Sequence, residues 1–311
     1  MPPHQPVLHN FKKGGVVIVQ CGREFTTEQI TQISEIVETF GNLSQTELTH
    51  TVCEQLEWYT ASGANKFEAC KKLLSLLEDR GLIKLPAKKK TTSIPPKKKA
   101  VKNRIIFDET PVEGNLSDIG SVNLRIVADK NEKTLFNEYL RQYHYLGYKK
   151  PFGYFLRYFI EISGTILGCI LLSGPAKSIK SRDQWIGWNT NERLRNQGFI
   201  VNNGRFLIFP WVNVRYLASH VLGKMVRVLA QDWYEQWGYR PVLLETFVDP
   251  QHFDGTCYQA ANFTYLGMTS GTGLTRPGKK YTSSPKKIFV CPLADNFRQV
   301  LCSSETVGKV L

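Results

Sequence analysis

No stretch of the 311-residue chain approaches the roughly 20 consecutive apolar residues that span a bilayer, so a membrane-spanning helix is not part of the reading. The amino-terminal residues lack the basic, apolar and small-residue order of a secretory signal. The seven cysteines are odd in number and include no CxxC pair, which points to reduced core residues rather than a disulfide framework. A cytoplasmic location is therefore expected. One region lacks acidic residues altogether: residues 88–104 hold eight lysines and arginines and no aspartate or glutamate.

What is present is a formal charge of +13, unevenly spread. Residues 1–87 are slightly acidic, with 8 basic and 10 acidic residues, whereas 105–311 carry 24 and 17. A basic linker beside a basic domain predicts a polyanionic partner, because lysine and arginine near phosphates release condensed counterions whatever the base sequence. Nucleic acid, DNA before RNA, is the expected polyanion, with a membrane surface as the minor alternative.

Residues 25–86 read as helical. Glu28–Phe40 places Ile30, Ile33, Ile36 and Val37 on one face after a cap at Thr27, and Ser44 to Glu47 forms a capping box opening a second helix. A third, about Asn65 to Arg80, carries Phe67, Cys70, Leu73, Leu74 and Leu77 inward with Lys71 and Lys72 elsewhere, and Leu82–Leu85 reads as a short strand. Three helices and a strand in this span match a winged-helix module, or a three-helix module for protein interaction.

The predicted organisation is a tail (1–24), the winged-helix-like module (25–86), a basic Lys/Pro-rich linker (87–121), a mixed α/β domain (122–293) and a carboxyl-terminal tail (294–311). Within the α/β domain the pattern predicts a strand at 122–128, a helix at 130–143 and a hairpin with Ser163-Gly164 at its turn. A strand at 182–186, another at 205–212, a helix at 218–237 and a final strand at 288–292 complete it.

The most informative segment is PVLLETFVDPQHFDGTCYQAANFTYLG, 241–267. Its apolar strand is interrupted by Glu245 and ends at Asp249, before a helix expected over 256–265. A carboxylate inside a buried strand is costly unless partnered, so Glu245 has either a structural partner such as Arg205 or a site role.

The order strand, long helix, strand, short helix resembles the acyl-CoA-dependent acetyltransferase (GNAT) architecture. More specifically, CEQLEWYTASGANKFEACKKLLSLLEDRGLIKLP, YHYLGYKKPFG, RDQWIGWN, RLRNQGFIVNNGRFLIFPWV and the 241–267 segment resemble the DruA family of Druantia anti-phage systems. That resemblance implies a defence component acting beside a helicase-like subunit. A looser likeness to the phage DNA-modification protein Mom rests on His144-Tyr145 and on Gly255 to Asn262. The acetyltransferase resemblance implies coenzyme A, but the turn that would cradle its pyrophosphate, 213–220, lacks glycines, so the cofactor is left unknown.

If the domain is catalytic, the expected acid–base set is His144, Tyr145, Glu245, Asp249 and Tyr258, which such an architecture would gather in one cleft. His144 also reads as a helix cap and Tyr258 as a core or hydrogen-bonding tyrosine. Glu245, Asp249, His252 and Asp254 offer hard ligands, but a turn aspartate more often bonds its own backbone, so no metal is expected. The nucleic-acid contacts expected are Lys88, Lys89, Lys90, Lys97, Lys98 and Lys99 in the linker, Lys71 and Lys72 on the third helix, and Arg215 before the long helix. Arg276, Lys279, Lys280, Lys286 and Lys287 complete them on a Gly/Pro-rich loop. Trp185, Trp188 and Trp211 are core residues or base-stacking platforms. An adaptor whose cleft holds only protein is the remaining alternative.

Overall fold

The computed structural model describes residues 18–87, 107–151, 153–271 and 284–304. Lys88 to Lys90, Lys97 to Lys99, Arg276, Lys279 and Lys280 lie outside the described residues. The chain divides into two compact units, Met1–Pro95 and Pro96–Leu311.

The first unit opens with an antiparallel hairpin, β1 (Ile18–Gln20) and β2 (Arg23–Phe25), followed by α1 (Thr27–Thr39), α2 (Gln45–Gln55) and α3 (Phe67–Asp79). Helix α1 is capped by Thr26, one residue before the expected cap, with Gln29 completing the box. The Ser44 box forms as read: Glu47 N–H donates to Ser44 Oγ at 3.3 Å, and Ser44 N–H donates to Glu47 Oε2 at 2.9 Å. The periodic apolar positions of all three helices meet in one core with Phe25 and Trp58, rings 4.9 Å apart, except Phe67, which is half-buried and packs on His50 instead. Leu82–Leu85 is not a strand; among the described residues the strands of this unit precede the helices.

The second unit contains β3 (Val112–Asn115), α4 (Leu116–Ile119), β4 (Asn123–Ile126), α5 (Lys130–Tyr143), β5 (Phe155–Ile162), β6 (Thr165–Ser173), α6 (Lys180–Ile186), α7 (Thr190–Asn196), β7 (Ile200–Ile208), β8 (Val212–Arg215), α8 (Leu217–Trp237), β9 (Leu243–Val248), α9 (Thr256–Ala260), β10 (Thr264–Met268), β11 (Lys287–Pro292) and α10 (Phe297–Leu301). Seven strands form one mixed sheet in the order β10-β11-β9-β7-β6-β5-β4. Every neighbouring pair is antiparallel except β7 and β9, which α8 connects as the long crossover a parallel pair requires. Strand β8 pairs in parallel with β3 in a separate two-stranded sheet, so residues 112–115, read as loop, are ordered by a partner a hundred positions away. The strand, long helix, strand order of the acetyltransferase-like architecture is present.

Three local expectations are corrected. Residues 182–186 belong to helix α6, because the Asp183 carboxylate accepts the Ile179 N–H at 3.3 Å at its start and left-handed Gly187 closes it. Pro210 interrupts the expected 205–212 strand, splitting it into β7 and β8. The helix expected to Tyr265 stops at Ala260, since Asn262 takes a left-handed conformation (φ 62°) and the chain continues as β10 against β11.

Candidate functional site

Strands β7 and β9 are paired only from Ile200 to Asn203 against Leu243 to Thr246. Beyond that point β7 stays with β6 and β9 stays with β11, so the sheet forks at the carboxyl ends of its two parallel strands. Such a fork is where open α/β sheets bind ligands. It holds a cavity of about 320 Å³, lined along the fork by Asn203, Phe206 and Thr246 and roofed by His144, Tyr145, Phe253 and Tyr258.

Asn203 is the polar floor. It is 4% exposed, its amide nitrogen donates to Tyr258 Oη at 3.4 Å, and its Oδ1 has no partner among the described residues. Thr246 Oγ1 donates to the Asn203 carbonyl at 3.1 Å, bracing one prong of the fork against the other. Burial pushes the Tyr258 hydroxyl well above its ordinary range, and likewise raises the Cys257 thiol, which makes that sulfur a poor nucleophile.

His144 ends α5, and its Nδ1 accepts the Leu146 N–H at 3.1 Å. Burial, reinforced by the Arg205 charge, lowers its pKa to about 4, so the imidazole is neutral near pH 7 and its proton resides on Nε2. It therefore offers a hydrogen-bond donor. Its ring stacks on Tyr145 at 4.9 Å, and Tyr145 continues the aromatic cluster to His252 and Phe253 at 4.6 and 5.8 Å.

The expected acid–base set does not converge. His144, Tyr145 and Tyr258 line the cavity, but Glu245 and Asp249 do not. The period of two along β9 sends Thr246 into the fork and Glu245 to the other face. There Glu245 Oε2 meets Arg182 Nη1 at 2.7 Å, Oε1 accepts the Ala176 N–H at 2.7 Å, and both side chains of the ion pair are fully buried. Burial pushes the Glu245 carboxyl up while Arg182 pulls it back down. With both oxygens accepting from donors it is held as carboxylate. Arg182 also grips Asp183 through Nε and Nη2 at 3.0 and 2.8 Å, and Asp183 lies 3.7 Å from Arg193.

Asp249 is partnered by Lys286 at 2.7 Å and by Ser284, and the Lys286 hydrogen bond leads in lowering its pKa to about 2. Asp254 lies 3.5 Å from Lys287. The four residues weighed as metal ligands are thus separated or ion-paired, and among the described residues no group of three or more His, Cys, Asp or Glu is placed to hold a metal.

Arg205 does not reach Glu245; it donates to the Gly147 and Gly204 carbonyls at 2.9 and 2.6 Å. Trp188 is buried, Trp185 stacks on Phe297 at 5.1 Å, and Trp211 packs on Phe209 at 4.8 Å. The roles of Asn203 and Arg182 are not legible in the sequence. The first stands in a polar Asn-Asn-Gly run, and the second sits in a segment whose pattern reads as strand.

Residues 213–215, expected to form the pyrophosphate turn, are committed to the β3–β8 ladder, leaving only Tyr216 between strand and helix. The segment offers neither a glycine nor a loop to cradle a coenzyme A pyrophosphate, and the amides left open there are those of the first turn of α8, which carries no side-chain cap. Tyr216 itself is left-handed (φ 63°) and 73% exposed, with Arg215 over its ring at 5.7 Å.

Fold and cavity together define a mixed α/β domain with a small aromatic pocket in its strand fork. The chain belongs to the DruA family: the family model for Druantia protein DruA matches residues 76–279. It is accordingly a component of a Druantia defence system. Similar solved structures include a Bacillus subtilis acetyltransferase in complex with CoA, 7% identical, covering 56% of this chain and 100% of that one with a TM-score of 0.33. A chimera of Vibrio cholerae spermidine N-acetyltransferase SpeG and hSSAT is 9% identical, covering 56% and 96% with a TM-score of 0.35. Aminoglycoside acetyltransferase AAC(6')-Ib with coenzyme A and kanamycin is 17% identical, covering 55% and 95%, also with a TM-score of 0.35. No curated protein matches the chain in sequence. Among the described residues no helix is long and apolar enough to cross a membrane.

Proposed function

We propose that this DruA-family chain is a cytoplasmic nucleic-acid-binding component that engages invading DNA and works beside a helicase-like partner. The observation that carries the reading is the outer stripe of α8. Residues 217–231 contain His220, Lys224 and Arg227 and no carboxylate, directly after Arg215 and Tyr216. Tyr216, His220, Gly223 and Arg227 recur at helical spacing along roughly 16 Å of helix. With Ser219 they line an open hollow of about 380 Å³ whose far side is Ala260 to Asn262. Arginines and an exposed aromatic ring at the start of a long helix suit phosphates and an unpaired base.

Two further features support it. The linker contributes eight basic residues over 88–104. In the first unit Lys71 and Lys72 are exposed on α3, the helix that a winged-helix module would present to DNA.

Gel shifts with single-stranded, duplex and forked DNA over a salt series test the reading. Affinity is expected to fall as salt rises. The Arg215→Ala/Arg227→Ala pair and the lysine-to-alanine set at 88–90 and 97–99 should each flatten the salt slope by about one unit for every phosphate no longer neutralised. Salt-insensitive retention, unchanged by both sets, would refute it. Co-purification with the helicase subunit tests the partnership separately.

A further inference from the structure

The fork cavity shares no lining residue with the hollow along α8, although Ala218 of that helix reaches it, and its chemistry points to a more specific occupant. Its volume of about 320 Å³ is at the small end of the range for small-molecule sites, room for one ring system with little else. Its walls are aromatic: Tyr145, Phe206, Phe253 and Tyr258. At its floor Asn203 Oδ1 is buried without a partner among the described residues, and such groups are rare in folded proteins unless a ligand or water satisfies them. His144 adds a neutral Nε2–H donor. Among the described residues Asp254 is the one charged side chain in the lining, and it stands at the rim, mostly exposed and opposite Lys287. The occupant is therefore uncharged and planar, with a hydrogen-bond donor for Asn203 and an acceptor for His144.

A nucleobase has that combination on its Watson–Crick edge. The mouth favours delivery from a strand, because Tyr145, Leu146 and Phe253 stand exposed around it, Phe253 at 58%, where they can stack on or wedge beside a neighbouring base. The cations Arg205 and Lys286 lie close enough to influence Tyr145 electrostatically.

We propose that this cavity receives a single nucleobase turned out of its strand, with Asn203 reading the base edge and Tyr145 and Phe253 stacking at the entrance. The inference rests on the nucleic-acid-binding reading above.

The test uses the full-length chain and DNA duplexes carrying 2-aminopurine or pyrrolocytosine, in matched and mismatched pairs, at protein concentrations that saturate the DNA by anisotropy. A several-fold rise in base fluorescence on binding is expected, since the probes brighten when unstacked. Asn203→Leu and Phe253→Ala should each remove most of that rise. Phe253 is an exposed rim residue, so its variant keeps the test sound if the buried change disturbs folding. Saturated binding with no rise from either probe would overturn the inference while leaving DNA binding intact. A rise that survives both substitutions would also overturn it, by placing the unstacked base elsewhere. Absence of any DNA binding would overturn both readings together.

Discussion

Arg182 and Glu245 form an ion pair of 2.7 Å with both side chains wholly buried, joining helix α6 to the central strand β9. Charges taken out of water are tolerated only when each is matched, and here four of the five Arg182 N–H groups and both Glu245 oxygens have a counterpart in Asp183, Ala176 or the other member. The glutamate that looks suspicious in the sequence is the keystone of a structural network.

Removing one member of that pair leaves the other buried and unmatched. Arg182→Met should lower unfolding stability by about 3–5 kcal/mol in urea titrations. Glu245→Gln, which keeps the shape and removes the charge, should cost about 1–3 kcal/mol. A Glu245→Gln protein as stable as the parent would contradict the structural role.

His144 gives the protein a defined acid sensitivity. Its folded pKa of about 4 lies below the ordinary 6.5, so the unfolded chain takes up the proton first as pH falls. The contribution is fully present above pH 6.5 and is lost as pH drops towards 4. The imidazole resonances should show neutral His144 at about pH 5.5, and His144→Gln should flatten the fall in Tm between pH 6.5 and 4.

Gly168 on β6 has no room for a side chain, because a Cβ there would lie 2.2 Å from the Leu207 carbonyl oxygen on β7. Backbone cannot yield as a side-chain tip can. Gly168→Ala should destabilise by at least about 1–3 kcal/mol, read from the denaturation midpoint.

Tyr216 separates fold from binding cleanly. Glycine accepts the left-handed backbone at that position, so Tyr216→Gly should leave thermal stability unchanged or raised while removing the exposed ring. Under the binding proposal it should weaken single-stranded DNA affinity by about 1–3 kcal/mol, measured by anisotropy.

Periodicity in the sequence exposes much of the fold. The core faces of α1, α2 and α3, helix α5 over Lys130–Tyr143 and the hairpin turned at Ser163-Gly164 all follow from local patterns. Short elements are less legible. Residues 182–186 read as strand, and the Asp183 carboxylate at the start and the Gly187 stop make them helix instead. The ordering of residues 112–115 is invisible in the sequence because their partner, β8, is remote along the chain.

The candidate site divides the same way. His144 and Tyr145 at the end of α5 and Tyr258 within α9 are recognisable as polar aromatic residues, and they do share one cavity. Glu245 and Asp249 are equally conspicuous, yet one residue of register along β9 turns Glu245 to the opposite face. By itself, the sequence determined the charge distribution, the helix periods, the caps and the family resemblance, all set by neighbours within a few positions. Only the tertiary structure decided which acids are paired, where β7 and β9 part, and that Asn203 stands at the floor with an acceptor unused. Those facts depend on strand pairing and burial between residues far apart in the chain, which no local pattern encodes.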